Sequence, residues 1–138
     1  MTLALPADAG QQPYVWLTTI GRRTEQPRTV ELWFLLRGDT LYFLAGGGEG
    51  ASWVRNSVAQ PDVRVRIDGA TYLGRARTPE RGSDEDQRAR RGMAAKYQGW
   101  AEGRPLSRWA STSFCLAVEL LEPDAGTLPP DPPWSLGG

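Results

Sequence analysis

Two tight turns that place glycine beside aspartate constrain the fold of this chain most. The turns are Arg37-Gly38-Asp39, which joins the β-rich run 29–36 to 41–45, and Asp68-Gly69, which joins 62–67 to 70–78. Such short links favour hairpins, because glycine and aspartate tolerate the left-handed backbone that two-residue turns require. Each pair of runs is therefore predicted to form neighbouring antiparallel strands.

Further runs complete a mainly β fold. Residues 14–20 and 113–121 add two strands, and residues 52–60 can form two helical turns. An amphipathic helix is predicted after Ser83, because apolar residues then recur at spacings of four, four and three. Together these elements predict a six-stranded antiparallel Greek-key barrel with two or three short helices.

The length of 138 residues fits one domain with one hydrophobic core. We expect residues 1–138 to form that single domain, with an N-terminal arm over residues 1–13 and a tail over residues 123–138. Five prolines in the tail disfavour helix and sheet interiors.

Composition excludes several kinds of site. The chain has no histidine, which excludes Ser-His-Asp hydrolysis and histidine-ligated metal sites, and we predict no metal. The formal net charge is zero, with 16 basic and 16 acidic side chains, so no overall charge attracts nucleic acid or anionic lipid. The single cysteine, Cys115, lies in an apolar run and is predicted to be a buried packing residue.

The sequence shows neither a targeting signal nor a membrane span. The first residues lack a basic region followed by a long apolar stretch, and no window reaches the roughly 20 apolar residues of a spanning helix. A lone cysteine cannot form an intrachain disulfide, which fits a reducing compartment. We therefore expect a cytoplasmic protein without a membrane partner.

The first candidate site is the arginine loop, residues 21–28, with the sequence Gly21-Arg22-Arg23-Thr24-Glu25-Gln26-Pro27-Arg28. Gly21 permits a sharp bend with outward-facing backbone N–H groups, Thr24 adds a hydroxyl donor, and three arginines offer charge-assisted hydrogen bonds. The loop can therefore bind an oxyanion. A solvated hairpin loop explains the same composition, and both interpretations stay open at this point.

The second candidate site is the glycine run, residues 46–51, which fits the pattern G-x-G-x-x-(G/A) between a strand and a helix. Asp68 lies about twenty residues on, where a dinucleotide-binding fold carries an acid. The antiparallel hairpin upstream and the lack of further βαβ units disfavour that fold. The glycines can instead turn a barrel corner or let the chain pass close to a ligand, with the helix N-terminus at Ser52 facing an anion.

A third pattern is the alternation of Arg64, Arg66, Arg75 and Arg77 on the second predicted hairpin. An oligonucleotide-binding barrel can use such a pattern, but it also needs stacking aromatics, and Tyr72 lies on the opposite alternation from Arg75 and Arg77. We interpret these arginines as a solvated face and expect no nucleic-acid partner.

Large aromatic residues form a fourth group. Tyr97, Trp100 and Trp109 bracket a polar turn and can line a substrate pocket, although aromatics at helical spacing are more often core. Trp16 and Trp33 lie within predicted strands and are expected in the core.

Four segments together carry a family resemblance. They are Leu17-Thr18-Thr19-Ile20-Gly21-Arg22-Arg23-Thr24, Pro27-Arg28, Trp53-Val54-Arg55-Asn56 and Gln60-Pro61-Asp62-Val63. The chain resembles the deazaflavin-dependent nitroreductase family, which belongs to the split β-barrel group that also contains pyridoxamine-phosphate-oxidase-like flavoproteins. The similarity runs over residues 14–78, with looser agreement through Lys96-Tyr97 and the last strand.

This resemblance implies a split β-barrel that binds the deazaflavin coenzyme F420 in a groove. The implied cofactor-binding residues are Gly21, Arg22, Arg23, Thr24, Arg28, Gly46, Gly47, Trp53, Arg55 and Asn56. It further implies hydride transfer between the reduced deazaflavin and a small planar acceptor, such as a quinone, an enone or a nitro compound. Tyr97 is a candidate acceptor contact, no other catalytic residue is identified, and the protein is expected as a monomer or homodimer.

Two departures from the family's pattern bear on the cofactor. Glu25 stands where the family usually has glycine, and the glycine run lacks the lysine that is common there. Both departures lower the positive charge near the expected phosphate. FMN, with one phosphate and no polyglutamate tail, is therefore the alternative cofactor, and a protein that binds F420 or flavin without turnover is the alternative function.

Overall fold

Seven antiparallel strands form a single curled sheet in the computed structural model, which describes residues 3–124. The strands are β1 (Val15–Ile20), β2 (Pro27–Leu32), β3 (Leu35–Arg37), β4 (Thr40–Ala45), β5 (Asp62–Ile67), β6 (Ala70–Arg77) and β7 (Phe114–Pro123). Their order across the sheet is β2-β1-β5-β6-β7-β4-β3. The helices are α1 (Ser52–Ala59), α2 (Asp84–Gln98) and α3 (Arg108–Thr112), with 3-10 turns at Ala9–Gln11 and Gly48–Gly50.

Both predicted hairpins are present. Gly38 and Asp39 join β3 to β4, and Asp68 and Gly69 join β5 to β6. Asp68 and Gly69 have φ values of 48° and 81°. Both central residues of that turn therefore occupy the left-handed region, as a two-residue hairpin turn requires.

The prediction of six strands is wrong, because the run 29–36 is not one strand. At Trp33 and Phe34 it divides into β2, which pairs with β1, and β3, which pairs with β4. Two side chains of α2 hydrogen-bond to the backbone of Phe34 at this break. The Tyr97 hydroxyl accepts a hydrogen bond from the Phe34 N–H at 3.0 Å, and Lys96 Nζ donates to the Phe34 carbonyl at 3.0 Å. Because only these two residues separate the outermost strands, the sheet has to curl.

Two apolar clusters bury the two faces of β4. Leu41 and Phe43 lie in the main cluster with residues of β1, β5, β6 and β7, whereas Tyr42 and Leu44 pack with α2 and α3. Burial on both faces explains why this strand reads as a continuous apolar run. Cys115 belongs to the second cluster, as predicted, and burial raises the pKa of its thiol to about 12.

Helix α2 begins and ends at specific caps and is tied to α3. Ser83 Oγ accepts the Asp86 N–H at 3.2 Å, which confirms the predicted helix start. The Asp86 carboxylate binds Arg90 Nε at 3.0 Å, and the guanidinium of Arg90 also donates to the Ala110 carbonyl at 3.0 Å. Gly99 ends the helix with a φ of 65°. The guanidinium of Arg90 thus joins α2 to α3, while Asp86 of the same helix balances its buried charge.

Glu85 connects the first turn of α2 to two strands. Its carboxylate accepts hydrogen bonds from two nitrogens of Arg77 on β6 and from the Tyr42 hydroxyl on β4, the latter at 2.6 Å. The hydrogen bonds from Arg77 hold the pKa of Glu85 down at about 2. Burial, together with the bond to Glu85, raises the pKa of Tyr42 to about 12.

Arginines of the β5–β6 hairpin pair with carboxylates of the same chain. The pairs are Arg64 with Asp124, Arg75 with Asp62, and Arg77 with Glu85 and Glu119. These contacts favour the structural interpretation of the arginine pattern over a nucleic-acid surface.

The N-terminal arm packs over the sheet. Leu3 and Leu5 pack against the main cluster, and the Tyr72 hydroxyl donates to the Ala4 carbonyl at 3.3 Å. The predicted start of the proline-rich tail at residue 123 is wrong, because Pro123 is the last residue of β7 and pairs with Tyr72 of β6. The rest of the predicted tail lies outside the described residues from residue 125 onward. Within residues 3–124, every helix falls short of the length and apolar character that crossing a membrane requires.

Candidate functional site

The arginine loop is closed by its own hydrogen bonds. Gly21 N–H donates to the Gln26 carbonyl at 2.8 Å, Glu25 N–H to the Gly21 carbonyl at 2.9 Å, and Gln26 N–H to Thr24 Oγ1 at 3.3 Å. A Cβ at Gly21 would lie 2.6 Å from Thr24 Oγ1. A side chain at this bend would therefore displace Thr24, whose hydroxyl already accepts one bond within the loop. The prediction that the backbone N–H groups of the bend face outward is wrong for Gly21, Arg22, Glu25 and Gln26, because each donates to the loop itself or to Asn56.

Asn56 of α1 joins the arginine loop to the helix. Its side-chain oxygen accepts from the Arg22 N–H at 3.3 Å and from Arg22 Nη1 at 2.9 Å. Its amide nitrogen donates to Thr19 Oγ1 at 3.2 Å, and both Asn56 and Thr19 are buried. The structure thus brings together two segments that carried the family resemblance, and Asn56 acts as the positioning residue between them.

Exposed positive charge surrounds this junction. Arg22, Arg23, Arg28 and Arg55 are all exposed. Among residues 3–124, Arg23, Arg28 and Arg55 have no carboxylate within ion-pair distance. Glu25, with a φ of 59°, is the acid of the loop. The guanidinium groups are therefore free to make charge-assisted bonds to an oxyanion from solution.

The glycine run follows β4 and leads through the 3-10 turn into α1. A Cβ at Gly46 would lie 3.5 Å from Trp109 Cδ1, and one at Gly47 would lie 3.9 Å from Ala51 Cβ, both ordinary contact distances. Neither glycine has a positive φ. The chain's own packing therefore does not require glycine at these two positions.

Antiparallel pairing rules out the dinucleotide-binding interpretation of the glycine run. Its preceding strand, β4, pairs antiparallel with β3 and β7, and the described sheet contains no parallel pair. Trp53 of α1 packs by its edge on Phe43, with ring centroids 5.9 Å apart. Trp53 thus fixes α1 to the core beside the glycine run.

Three aromatic rings contact one another, and one of them, Trp109, lies beside Gly46 of the glycine run. Trp33 stacks on Tyr97 with centroids 4.4 Å apart and planes 2° from parallel, and Trp109 meets Trp33 edge-on at 5.6 Å. Trp33 is 43% exposed, so the prediction that it belongs to the core is wrong. Trp100 packs against the same apolar cluster as Tyr97 and Trp109, and its indole N–H donates to the Arg104 carbonyl at 2.7 Å.

The hydroxyl of Tyr97 is engaged by backbone groups. Besides accepting the Phe34 N–H, it lies 2.8 Å from the Pro13 carbonyl and 3.1 Å from the Phe34 carbonyl. Burial raises the pKa of Tyr97, and it lowers the pKa of Lys96 to about 8. Lys96 Nζ also lies 3.6 Å from the centre of the Phe34 ring. The role of Tyr97 as a contact for the acceptor stays a prediction. The face of its ring, rather than its hydroxyl, lies against Trp33.

Exposure of Trp33 could have been read from the sequence. Val30, Leu32 and Phe34 share one alternation and pack in the main cluster. Trp33 shares the opposite alternation with Glu31, which is exposed as well. The size and apolar character of tryptophan suggested the core, but its alternation indicated the outer face.

Comparison with known proteins identifies the family of this chain. A family model described as F420H(2)-dependent quinone reductase matches residues 6–118. The chain belongs to this family. An F420H(2)-dependent quinone reductase of Mycobacterium tuberculosis is 35% identical over 80 residues, which are 56% of this chain and 53% of that protein. The chain therefore spans about half the length of the curated relatives that it matches.

Solved structures share the fold of this F420H(2)-dependent quinone reductase family member. An F420-H2 dependent reductase is 23% identical, with a TM-score of 0.61 over 78% of this chain and 95% of that one. A Listeria innocua protein assigned as a pyridoxamine 5′-phosphate oxidase is 20% identical, with a TM-score of 0.60 over 86% and 89%. The family model thus confirms the resemblance to F420-dependent enzymes, and the solved structures share the fold.

Proposed function

We propose that this protein is an F420-dependent oxidoreductase that reduces small planar acceptors, with quinones as the first class to test. The observation that carries the proposal is the Asn56 junction, which fixes Arg22 of the arginine loop against α1. Three further exposed arginines without acidic partners surround it. Family membership supports F420 as the ligand of this positively charged site.

The cofactor's phosphate is proposed to lie at the arginine loop. Gly21 and Thr24 shape the loop, while Arg22, Arg23, Arg28 and Arg55 supply charge-assisted donors. Gly46 and Gly47 are proposed to let the cofactor approach the backbone, because no packing within the chain explains glycine there. Trp53 and Asn56 hold α1 beside both segments.

Reduced F420, when bound, supplies the hydride, and a quinone that also gains a proton leaves as the quinol. The protein's own residues bind the phosphate, orient the cofactor and hold the acceptor close to it. A reaction in which the cofactor supplies the hydride and the protein supplies the positioning fits a chain without histidine. Positioning alone supplies a large part of the rate enhancement in such a transfer.

The proposal also covers the domain organisation, the barrel topology, the oligomeric state and the location of the protein. We infer that residues 1–138 act as one domain, that the curled sheet is a Greek-key split barrel, and that the protein is a monomer or homodimer. The two-residue connection between β2 and β3 supports the barrel. The lone Cys115 supports a cytoplasmic location.

Parallel titrations with the two cofactors decide between F420 and FMN. Purified protein is titrated with F420 and with FMN, and binding is followed by the fluorescence of each ligand. We expect micromolar or tighter binding of F420 and weaker binding of FMN. Preferential binding of FMN would transfer the proposal to that cofactor, and failure of both to bind would refute it.

A further inference from the structure

We propose that a cleft between α2 and the loop 99–107 is a second binding site of this protein, which takes a small planar carboxylate. This α2 cleft has a volume of about 390 Å³, at the lower end of the roughly 300–1,000 Å³ that is typical of ligand pockets. Its lining includes Gln87, Arg90, Arg91, Trp100, Glu102, Arg104 and Leu106. The α2 cleft shares no residue with the arginine loop, the glycine run or α1, so this inference does not depend on the proposed function.

Arg90 contributes a buried guanidinium group with spare donors to the α2 cleft. Its side chain is 6% exposed, and its hydrogen bonds to the Asp86 carboxylate and to the Ala110 carbonyl use Nε and Nη1. No acceptor within residues 3–124 is bonded to Nη2. Because most of this side chain is shielded from water, an oxyanion that binds Nη2 meets little competition from solvent.

Two further arginines make the α2 cleft positively charged. In the described part of the chain, neither Arg91 nor Arg104 has a carboxylate within ion-pair distance. Arg91 is half-buried, and only its Nε is used, in a bond to the Gln87 carbonyl at 3.3 Å. Glu102 balances one of these two charges and leaves the other unbalanced. The planar fork of an arginine matches a carboxylate in geometry as well as in charge.

Trp100 and Leu106 give the α2 cleft an apolar part with a fixed shape. Both side chains pack against the second apolar cluster, and the Trp100 indole N–H donates to the Arg104 carbonyl at 2.7 Å. Ser107 Oγ donates to Gln98 Oε1 at 2.7 Å, which ties the end of the loop to α2. A preformed cleft loses little conformational entropy when it binds a ligand. A fixed indole beside arginine forks therefore suits an aromatic ring that carries a carboxylate.

Titration with benzoate, followed by ¹H–¹⁵N NMR of the labelled protein, tests this inference. Benzamide keeps the ring without the charge, and acetate keeps the charge without the ring. We expect benzoate to bind with a Kd of about 1 mM, and both analogues to bind about tenfold more weakly. Among the six tryptophans of the chain, the Trp100 indole N–H signal should shift most, together with amide signals of α2 and the loop 99–107.

Arg91→Gln should weaken benzoate binding about tenfold, because it removes a charged donor from the α2 cleft. Arg88→Gln is the matched control, since Arg88 is an exposed arginine of the same helix that does not line the cleft. This control should bind benzoate as wild type does, and both variants should keep the Tm and the F420 affinity of wild type.

Three results would overturn the inference. Absence of saturable shifts with benzoate would show that the α2 cleft does not take this class of ligand. Shifts confined to residues 21–28 would place the anion at the arginine loop instead. Equal binding of benzoate and benzamide, or equal benzoate affinity in Arg91→Gln and Arg88→Gln, would show that the arginines of the cleft do not recognise a carboxylate.

Discussion

Replacing Asn56 with alanine is expected to destabilise the protein and loosen the arginine loop together. Asn56 is buried and makes three side-chain hydrogen bonds, two to Arg22 and one to Thr19. A net contribution of about 1 kcal/mol per bond gives a loss of about 3 kcal/mol. The better helix propensity of alanine offsets about 0.5 kcal/mol of it. The free energy of unfolding should therefore fall by about 2.5 kcal/mol, and Tm by about 5 to 10 °C.

Urea denaturation followed by circular dichroism measures the stability, and F420 titration measures the loop. Ser57→Ala is the matched control, because Ser57 is the buried neighbour in α1 and donates only to the Trp53 carbonyl. We expect this control to lose at most about 1 kcal/mol and to keep its F420 affinity. Asn56→Ala should bind F420 about tenfold more weakly, which corresponds to about 1.4 kcal/mol. If Asn56→Ala matched the control in both measurements, the positioning role of Asn56 would be refuted.

Four further variants address the loop, the glycine run and the acid stability. Glu25→Gly relieves a positive φ of 59° and removes a negative charge, so F420 affinity by titration should rise severalfold; no change would argue against a phosphate at this loop. Gly46→Ala should keep the Tm of wild type, because the added Cβ meets only ordinary contacts, but it should bind F420 more weakly. Gly21→Ala should instead lose stability, because its Cβ would come too close to Thr24. If Gly46→Ala bound F420 as tightly as wild type, the cofactor could not approach the backbone closely at Gly46. The pKa of Glu85 falls from 4.5 to about 2 on folding, so its contribution to stability is complete above about pH 4.5 and is lost as the pH falls toward 2. Tm measured between pH 7 and pH 2 should therefore depend less on pH in Glu85→Gln than in wild type, and identical slopes would contradict this.

Local patterns were sufficient to predict the hairpins and the bend at Gly21. Asp68 and Gly69 carry the turn chemistry within two residues, and the alternation beside them assigns the faces of the strands. The steric need for glycine at position 21 arises from Thr24, three residues away. Such features depend on neighbours in the chain, and a sequence displays them directly.

Long-range contacts could not be predicted in the same way. The division of the run 29–36 depends on Tyr97, which is 63 residues from Phe34 in the sequence. The junction of the arginine loop with α1 depends on Asn56, which is 34 residues from Arg22. The family resemblance had named both segments of that junction, but only the folded chain shows the hydrogen bonds between them.

Coupled turnover is the most direct test of the proposed oxidoreductase. Reduced F420 is mixed with the protein and menadione under anaerobic conditions, and both the appearance of oxidised F420 and the loss of quinone are followed. We expect one quinone to be reduced for each F420 oxidised, over many turnovers per protein molecule. Tight binding of F420 without acceptor-dependent oxidation would contradict the proposal and identify a cofactor-binding protein instead.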